Sequence, residues 1–219
     1  MTKEPKKISL KNRFRGFMPV VVDIETAGFN PKTDAVLEIA AVTLHMNEQG
    51  FLTPKETMSK HIQPFASANL DPKALEFTKI DPFHPFRFAV SETEALTDIF
   101  QFVRTSLKEY DCNRAVLVGH NPAFDISFLN AAVVRTEIKR NPFHAFTTFD
   151  TASLSALAFG QTVLRKAIEL AGIPFDNSQA HSAKYDAEKT AELFCCIVNK
   201  WQEALFYPPL KKGDSEGGI

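Results

Sequence analysis

The chain is poor in cysteine, in tryptophan and in long apolar runs, and its charges nearly cancel. Its three cysteines, Cys112, Cys195 and Cys196, form neither an even disulfide framework nor a CxxC pair, which indicates a reducing cytoplasm. No apolar stretch approaches the ~20 residues that span a bilayer, and the first seven residues lack the apolar segment of a secretory signal. We therefore expect a cytoplasmic protein that does not enter a membrane.

The length and composition are those of one soluble domain. At 219 residues the chain fits a single domain, since ~100–200 residues per domain is usual. A hydrophobic content of 44% supplies a core, and 23% charged residues supply a soluble surface. We predict a basic N-terminal arm over residues 1–17, one domain over 18–205 and a disordered tail over 206–219.

Basic residues are concentrated locally, although the formal net charge is only −1. Residues 3–15 contain six lysines and arginines against Glu4 alone, and Arg135, Lys139 and Arg140 form a second cluster. Such patches bind phosphate even on a nearly neutral protein. Ordinary solvated surface charge is an equally good interpretation from the sequence alone.

Apolar and β-branched runs predict strands over residues 19–22, 35–46 and 115–118, with a further strand after a turn at 47–50. Residues 71–89 are rich in proline and phenylalanine and predict a surface loop with one helical turn. Strands first, and then strands interleaved with helices, favour an α/β sheet with helices on both faces.

Capping residues and helical spacing predict five helices. Ser91 forms a capping box with Glu94, and Asn121 is predicted to cap a helix that begins at Pro122. The other three helices are predicted from Asp150 to Gly160, from about Thr162 to Ala171, and from about Ser182 onward.

Two carboxylates lie together at the end of the first predicted strand. Residues i and i+2 of a strand point to the same face, so Asp23 and Glu25 project side by side. Burying two such charges is costly unless a cation neutralises them, and hard oxygen ligands suit Mg²⁺ or Mn²⁺. An isolated Asp-x-Glu pair is nevertheless more often a surface pair that forms salt bridges.

Two further acids and one histidine stand near the starts of helices. Asp125 and Asp186 are predicted in first helical turns, where the helix dipole alone already favours an acid. His181 precedes the last helix on a loop, which suits a mobile general base, although such a histidine is more often a cap or a surface residue. Two metal ions ~3.5–4 Å apart need about four carboxylates, and the chain offers that number.

Three segments carry a resemblance to a known family: Asp-Ile-Glu-Thr at 23–26, His-Asn-Pro-Ala-Phe-Asp at 120–125 and His-Ser-Ala-Lys-Tyr-Asp at 181–186. They resemble the three exonuclease motifs of the DEDD superfamily, in its histidine-bearing branch. Residues 13–17, 26–30 and 139–144 are similar to one RNA-trimming subgroup of that branch.

The resemblance implies an α/β fold of the RNase H-like type, with a central five-stranded mixed β-sheet flanked by α-helices. It implies 3′→5′ exonuclease activity on the 3′ ends of tRNA and other stable RNAs, and on single-stranded DNA, with release of nucleoside 5′-monophosphates. It also implies that four acids and one histidine form a site for two Mg²⁺ ions (or Mn²⁺), in which His181 deprotonates the attacking water: Asp23, Glu25, Asp125, Asp186 and His181.

The resemblance further implies that Phe29, Phe77, Phe124 and Phe146 stack on nucleotide bases. The residues themselves support this for Phe29 and Phe124, which flank acidic residues in turns, where stacking a terminal base contributes ~1–3 kcal/mol. For Phe77 and Phe146 the sequence leaves core packing as the alternative.

By the same resemblance the protein is a homodimer, in which a basic patch of one subunit feeds RNA to the active site of the other. The matching positions are Arg13, Arg15, Lys108, Arg114 and Lys139. The family carries an acidic residue near the substrate pocket at the position of Lys73, so its terminal-base preference is not carried over to this chain.

Four other interpretations compete with this one. The same motifs serve proofreading 3′→5′ exodeoxyribonucleases and oligoribonucleases. Loss of any one of the five site residues would favour a catalytically silent nucleic-acid-binding module, and all five are present. A dinucleotide-binding protein would need GxGxxG after a strand, and the sequence has none.

Overall fold

The structure is a computed structural model that describes residues 9–206. The disordered tail predicted from the sequence lies outside the described residues, apart from its first residue, and so does the arm up to residue 8. The strands are β1 Phe17–Thr26, β2 Val36–Met46, β3 Leu52–His61, β4 Arg114–Gly119 and β5 Phe143–Asp150. The helices are α1 Leu10–Arg13, α2 Pro72–Thr78, α3 Glu92–Glu109, α4 Ala123–Arg135, α5 Thr151–Phe159, α6 Leu164–Leu170 and α7 Ala183–Phe206, with a 3₁₀ turn at Pro85–Arg87.

The five strands form one mixed sheet in the order β3-β2-β1-β4-β5. β1 runs antiparallel to β2 and parallel to β4, and β5 continues the parallel half. Four side chains of β1 are at most 1% exposed: Met18, Val20, Val21 and Val22. Because neighbouring side chains of a strand point to opposite faces, helices must cover both faces of the sheet. The predicted five-stranded mixed sheet is confirmed.

Local sequence signals set the ends of most helices. Ser91 accepts a hydrogen bond from the amide of Glu94 at the start of α3, as the capping box predicts. Asp150 caps α5, which ends at Gly160 with φ +66°, a left-handed conformation that glycine adopts without strain. No helix among the described residues has the length and apolar content that a bilayer crossing requires.

The start of α4 differs from the prediction by one residue. Pro122 occupies the capping position without a side-chain bond, and the helix begins at Ala123. Asn121 does not cap it; this residue has φ +64°, and its amide donates to Asp150 at 3.1 Å. The turn before α4 lies where the sequence predicts it, but the predicted capping of the helix by Asn121 is wrong.

Two segments outside the predicted strands and longer helices contain short helices. In the N-terminal arm Leu10 is 2% exposed, and the Arg13 guanidinium donates to Gln202 of α7, so residues 10–13 pack on the domain. In the segment 71–89, Asp71 caps two turns of helix rather than one. The sequence does not predict β5, because it is an edge strand of the described sheet and its mostly half-exposed side chains do not alternate between buried and exposed.

Candidate active site

Four carboxylates meet at one edge of the sheet because three elements end or begin there. Asp23 and Glu25 lie on the same face of β1, close to its carboxyl end. Asp125 is in the first turn of α4, and Asp186 is in the first turn of α7. Carboxyl ends of strands and first turns of helices meet at such an edge in open α/β sheets, where ligands bind.

Backbone amides fix two of these acids. Asp125 is 6% exposed, and its carboxylate accepts hydrogen bonds from the Ile24 amide and from its own amide. Asp186 accepts from the His181 amide at 2.9 Å. One ligand atom each from Glu25, Asp186 and His181 lie within 4.8 Å of one another, which is close enough to contact one metal ion.

Burial and mutual repulsion perturb the whole acidic cluster. Burial raises the pKa of Glu25 to about 8, and the charges of Asp186, Glu38 and Asp125 add to the effect. Burial likewise raises the pKa of Asp125 to about 7, against the stabilising amide bonds. The pKa values of Asp23 and Asp186 are also raised, in both cases first by burial. Clustered carboxylates that resist ionisation in the free protein are suited to divalent cations, which favour their charged form.

A fifth carboxylate, Glu38, was not predicted as part of the site. It lies opposite Glu25 in the β1–β2 pair, and its Oε2 accepts from the Ala183 amide at the start of α7 at 3.3 Å. Its Oε1 lies 2.9 Å from Nδ1 of His61. Glu38 thus ties β2 to the helix that carries Asp186. Only the register of the two strands, which the sequence does not reveal, would have identified it.

His181 lies on the loop before α7 and faces the acids. Its φ of +67° is in the left-handed region, which is uncommon for a residue other than glycine. Its ring centroid is 4.4 Å from that of Phe77, with the two planes at 57°. The loop geometry therefore brings the His181 imidazole to the edge of the acidic cluster.

A cavity of about 610 Å³ opens beside the acids and is lined by aromatic side chains. Phe29, Phe77 and Phe124 line it, and Phe29 and Phe77 are 81% and 64% exposed. The ring centroids of Phe29 and Phe124 are 6.3 Å apart in an edge-to-face arrangement. Core packing, the alternative for Phe77, is therefore wrong. Lys73 also lines the cavity.

The loop that carries Phe29 is held by a polar cluster beneath it. Asp34 is 5% exposed and accepts from the Asn30 amide, from the Thr33 hydroxyl and from the Asn69 side chain. A Cβ added to Gly28 would lie 2.0 Å from the Asp34 carboxylate, so only glycine fits at that position. Loop packing thus sets where Phe29 stands over the cavity.

Phe146 and the predicted basic residues do not line this cavity. Phe146 lies on β5, is 83% exposed and contacts the His144 ring at 4.7 Å, so core packing is wrong here too. The guanidinium of Arg13 donates to Gly50, Val198 and Gln202, and that of Arg114 donates to the carbonyls of Asn141 and Phe143. The remaining three positions of the basic set are exposed: Arg15, Lys108 and Lys139.

His120 is a further cavity residue that the prediction did not include. Its Nε2 donates to the Thr162 carbonyl at 2.6 Å, and its Nδ1 lies 3.0 Å from the Thr151 hydroxyl. Burial lowers the pKa of this imidazole, which favours its neutral form. His120 thus joins the turn before α4 to the loop before α6.

Comparison with known proteins agrees with the site. A family model described as Exonuclease matches residues 20–194. A solved structure of E. coli Exonuclease I in complex with a dT13 oligonucleotide aligns with TM-score 0.65 at 18% identity. The alignment covers 86% of this chain and 42% of that chain, so the chain spans less than half of that protein. The fold and the motifs together define a hydrolytic 3′→5′ exonuclease of the DEDD type.

Two curated relatives narrow the class. The chain is 61% identical to Ribonuclease T of Hahella chejuensis over 90% of both chains. It is 61% identical to Ribonuclease T of Vibrio parahaemolyticus over 95% of this chain and 98% of the relative. The chain belongs to the ribonuclease T family. Exonucleases of this superfamily use divalent metal ions, and the acidic cluster fits such ions.

Proposed function

We propose that the protein trims the 3′ ends of tRNA and other stable RNAs, and of single-stranded DNA, one nucleotide at a time. The observation that carries the proposal is one constellation: four carboxylates from three elements, His181 beside them, and a cavity lined by exposed phenylalanines. The name Ribonuclease T of the relatives adds support for RNA as the substrate. The products are nucleoside 5′-monophosphates.

In this proposal Asp23, Glu25, Asp125 and Asp186 hold two Mg²⁺ ions, for which Mn²⁺ is a substitute. Two such ions supply charge neutralisation and polarisation of the scissile phosphodiester when they are bound. His181 takes the proton from the attacking water, since its ring nitrogen lies close to the carboxylates and its loop leaves it exposed. A positioned general base of this kind contributes about 10²–10⁴-fold to the rate.

The phenylalanines hold the terminal nucleotide for this step. Phe29 and Phe77 present large exposed faces to the cavity, and Phe124 supports Phe29 from the side of α4. Stacking needs an unpaired base, and it is tolerant of base identity because every base has an aromatic face. The arrangement therefore favours single-stranded 3′ ends and digestion that stops near a duplex. Phe146 stacks on a nucleotide further along the strand.

The basic residues act on the RNA from a neighbouring subunit of a homodimer. Arg15, Lys108 and Lys139 are exposed and do not line the cavity of their own subunit. A cation patch that is remote from its own active site is useful if it faces the site of the partner. Mixing an Asp125→Asn variant with a Lys108→Ala/Lys139→Ala variant should then restore activity that neither has alone. An inactive mixture would contradict the shared arrangement.

The decisive experiment follows a 5′-labelled RNA hairpin with a 3′ overhang, and a circular single-stranded DNA, each with Mg²⁺ and with EDTA. We expect stepwise, Mg²⁺-dependent shortening of the overhang that stops near the duplex, with the circle intact. Asp125→Asn should be inactive, whereas Glu48→Gln, in an exposed turn, should match the wild type. Cleavage of the circle would refute an exonuclease, and RNA binding without cleavage would identify a silent binding module.

The choice of substrate distinguishes the proposed function from two related activities, those of a proofreading exodeoxyribonuclease and of an oligoribonuclease. Faster removal from a mismatched DNA primer than from the RNA overhang would identify a proofreading enzyme. A strong preference for RNAs of two to five nucleotides would identify an oligoribonuclease. The same assay with four different overhang ends measures the terminal-base preference, to which Lys73 contributes as a residue that lines the cavity.

A further inference from the structure

The loop that carries His181 is fixed at both ends by two adjacent residues of α7. At its C-terminal end the Asp186 carboxylate accepts from the His181 amide at 2.9 Å. At its N-terminal end the Tyr185 hydroxyl accepts from the Asp176 amide at 2.5 Å. Residues 176–181 therefore form a loop whose two ends are both bonded to the first turn of one helix.

The internal structure of this loop depends on Asp176. The Asp176 carboxylate accepts from the amide and hydroxyl of Ser178, at 2.9 and 2.7 Å, and from the side chain of Gln179 at 3.0 Å. The Tyr185 ring also packs edge-on against Phe175, with centroids 5.3 Å apart. Tyr185 thus holds the residue on which the turn is built, by both its hydroxyl and its ring.

Besides these bonds the His181 ring contacts the Phe77 ring, and little of the loop is buried. Residues 176–179 are exposed, and a cavity of about 740 Å³ lies against residues 177–182. His181 is itself exposed and sits in a left-handed conformation. A segment with so little burial takes its position from its end contacts, and loss of one of them lets the loop move.

We propose that Tyr185 is a positioning residue that holds the His181 loop in place for catalysis. Tyr185 does not line the substrate cavity and acts through Asp176 and the loop. The inference rests on the general-base role of His181 in the proposed function. It predicts that Tyr185→Phe, which removes only the hydroxyl acceptor, loosens the loop and slows the chemical step without weakening capture of the 3′ end.

The first test is amide hydrogen exchange of metal-free wild type, Tyr185→Phe and a matched control, Tyr110→Phe. Tyr110 also makes a hydroxyl contact, with His45 at 2.9 Å, but it follows α3 and does not line the substrate cavity. We expect faster exchange in residues 175–182 of Tyr185→Phe alone, with the rest of the protein unchanged. Unchanged exchange in that segment would overturn the proposal.

The second test is kinetic, on a single-stranded RNA with Mg²⁺. We expect Tyr185→Phe to lower kcat about tenfold, on the scale of one hydrogen bond, and to leave KM unchanged. In a His181→Ala background the same substitution should have no further effect, because the loop then carries no base. An equal loss in that background would show a general structural role and would overturn the positioning proposal.

The two proposals fail in different ways. Wild-type activity of Tyr185→Phe together with an inactive His181→Ala would overturn the positioning role and keep the proposed function. Wild-type activity of His181→Ala would overturn the general-base assignment, and the positioning role with it.

Discussion

Substitution of Glu25 by glutamine should stabilise the metal-free protein while abolishing its activity. Glu25 is partly buried on β1, with Glu38 opposite it on β2 and with Asp186 and Asp125 as further charged neighbours. Burial, followed by these charges, raises the pKa of its carboxyl from 4.5 to about 8. Glutamine keeps the shape and one acceptor oxygen but removes the charge.

The sign of the pH dependence follows from that raised pKa. Between pH 4.5 and about 8 the unfolded chain has released the Glu25 proton, whereas the native protein retains it. Native stability is therefore highest at the acid end of this range, falls as the pH rises, and levels off above about 8. The rise in the pKa of Glu25 sets an upper bound of about 5 kcal/mol on this loss of native stability. Because the neighbouring carboxyls titrate together, only part of this penalty belongs to Glu25. We therefore expect Glu25→Gln to raise the free energy of unfolding by roughly 2–3 kcal/mol at pH 8.

Urea unfolding measures this pH dependence of stability. It is done on metal-free wild type and Glu25→Gln at one protein concentration, from pH 5 to pH 9. The unfolding free energy of the wild type should fall over that range, and that of the variant should fall less. Mg²⁺ should then raise the wild-type value more than the variant's, because it binds the native site. The exposed Glu48→Gln variant should follow the wild type. A wild-type stability that does not change with pH in EDTA would refute the reasoning.

Three further predictions concern catalysis, stacking and loop geometry. Asp125→Asn should lower kcat by at least about 10³-fold, with an unchanged circular dichroism spectrum, because it removes a predicted metal ligand and keeps the fold; residual cleavage near the wild-type rate would contradict the assignment. Phe29→Ala should raise KM for single-stranded RNA by roughly 5- to 150-fold. Phe83→Ala, at a phenylalanine that is 73% exposed but does not line the substrate cavity, should leave KM unchanged, and equal effects of the two substitutions would exclude stacking as the cause. Gly28→Ala should force the Asp34 carboxylate aside and displace the Phe29 loop, lowering the melting temperature and weakening substrate capture together; an unchanged melting temperature would contradict the tight contact.

The parts of the site that the sequence predicted are those defined by local signals. Asp23 and Glu25 follow a β-branched run, and Asp125 and Asp186 lie in first helical turns, where the sequence predicted them. Such patterns need only a few neighbouring residues to be recognised. The edge strand β5 has no such pattern, because its side chains are neither buried in alternation nor bounded by clear turns.

What the sequence did not predict depends on pairings across the fold. Glu38 belongs to the site only because the β1–β2 register sets it opposite Glu25. Phe77 faces His181 only because α2 is placed there by tertiary packing, and nothing in the α2 sequence distinguishes it from a core residue. The same holds for Arg13, whose side chain reaches α7 from the far end of the chain.

The acidic cluster is kept at a cost in stability that its function explains. Four carboxylates with raised pKa values at one edge of a sheet oppose folding, and apolar residues at the same positions would pack without that penalty. The surrounding structure compensates with fixed partners: amides bind Asp125 and Asp186, and Glu38 bonds to the start of α7. These bonds hold the carboxylates in one geometry before any cation arrives. Residues placed for binding and catalysis are expected to destabilise the fold locally, while the contacts around them offset that cost.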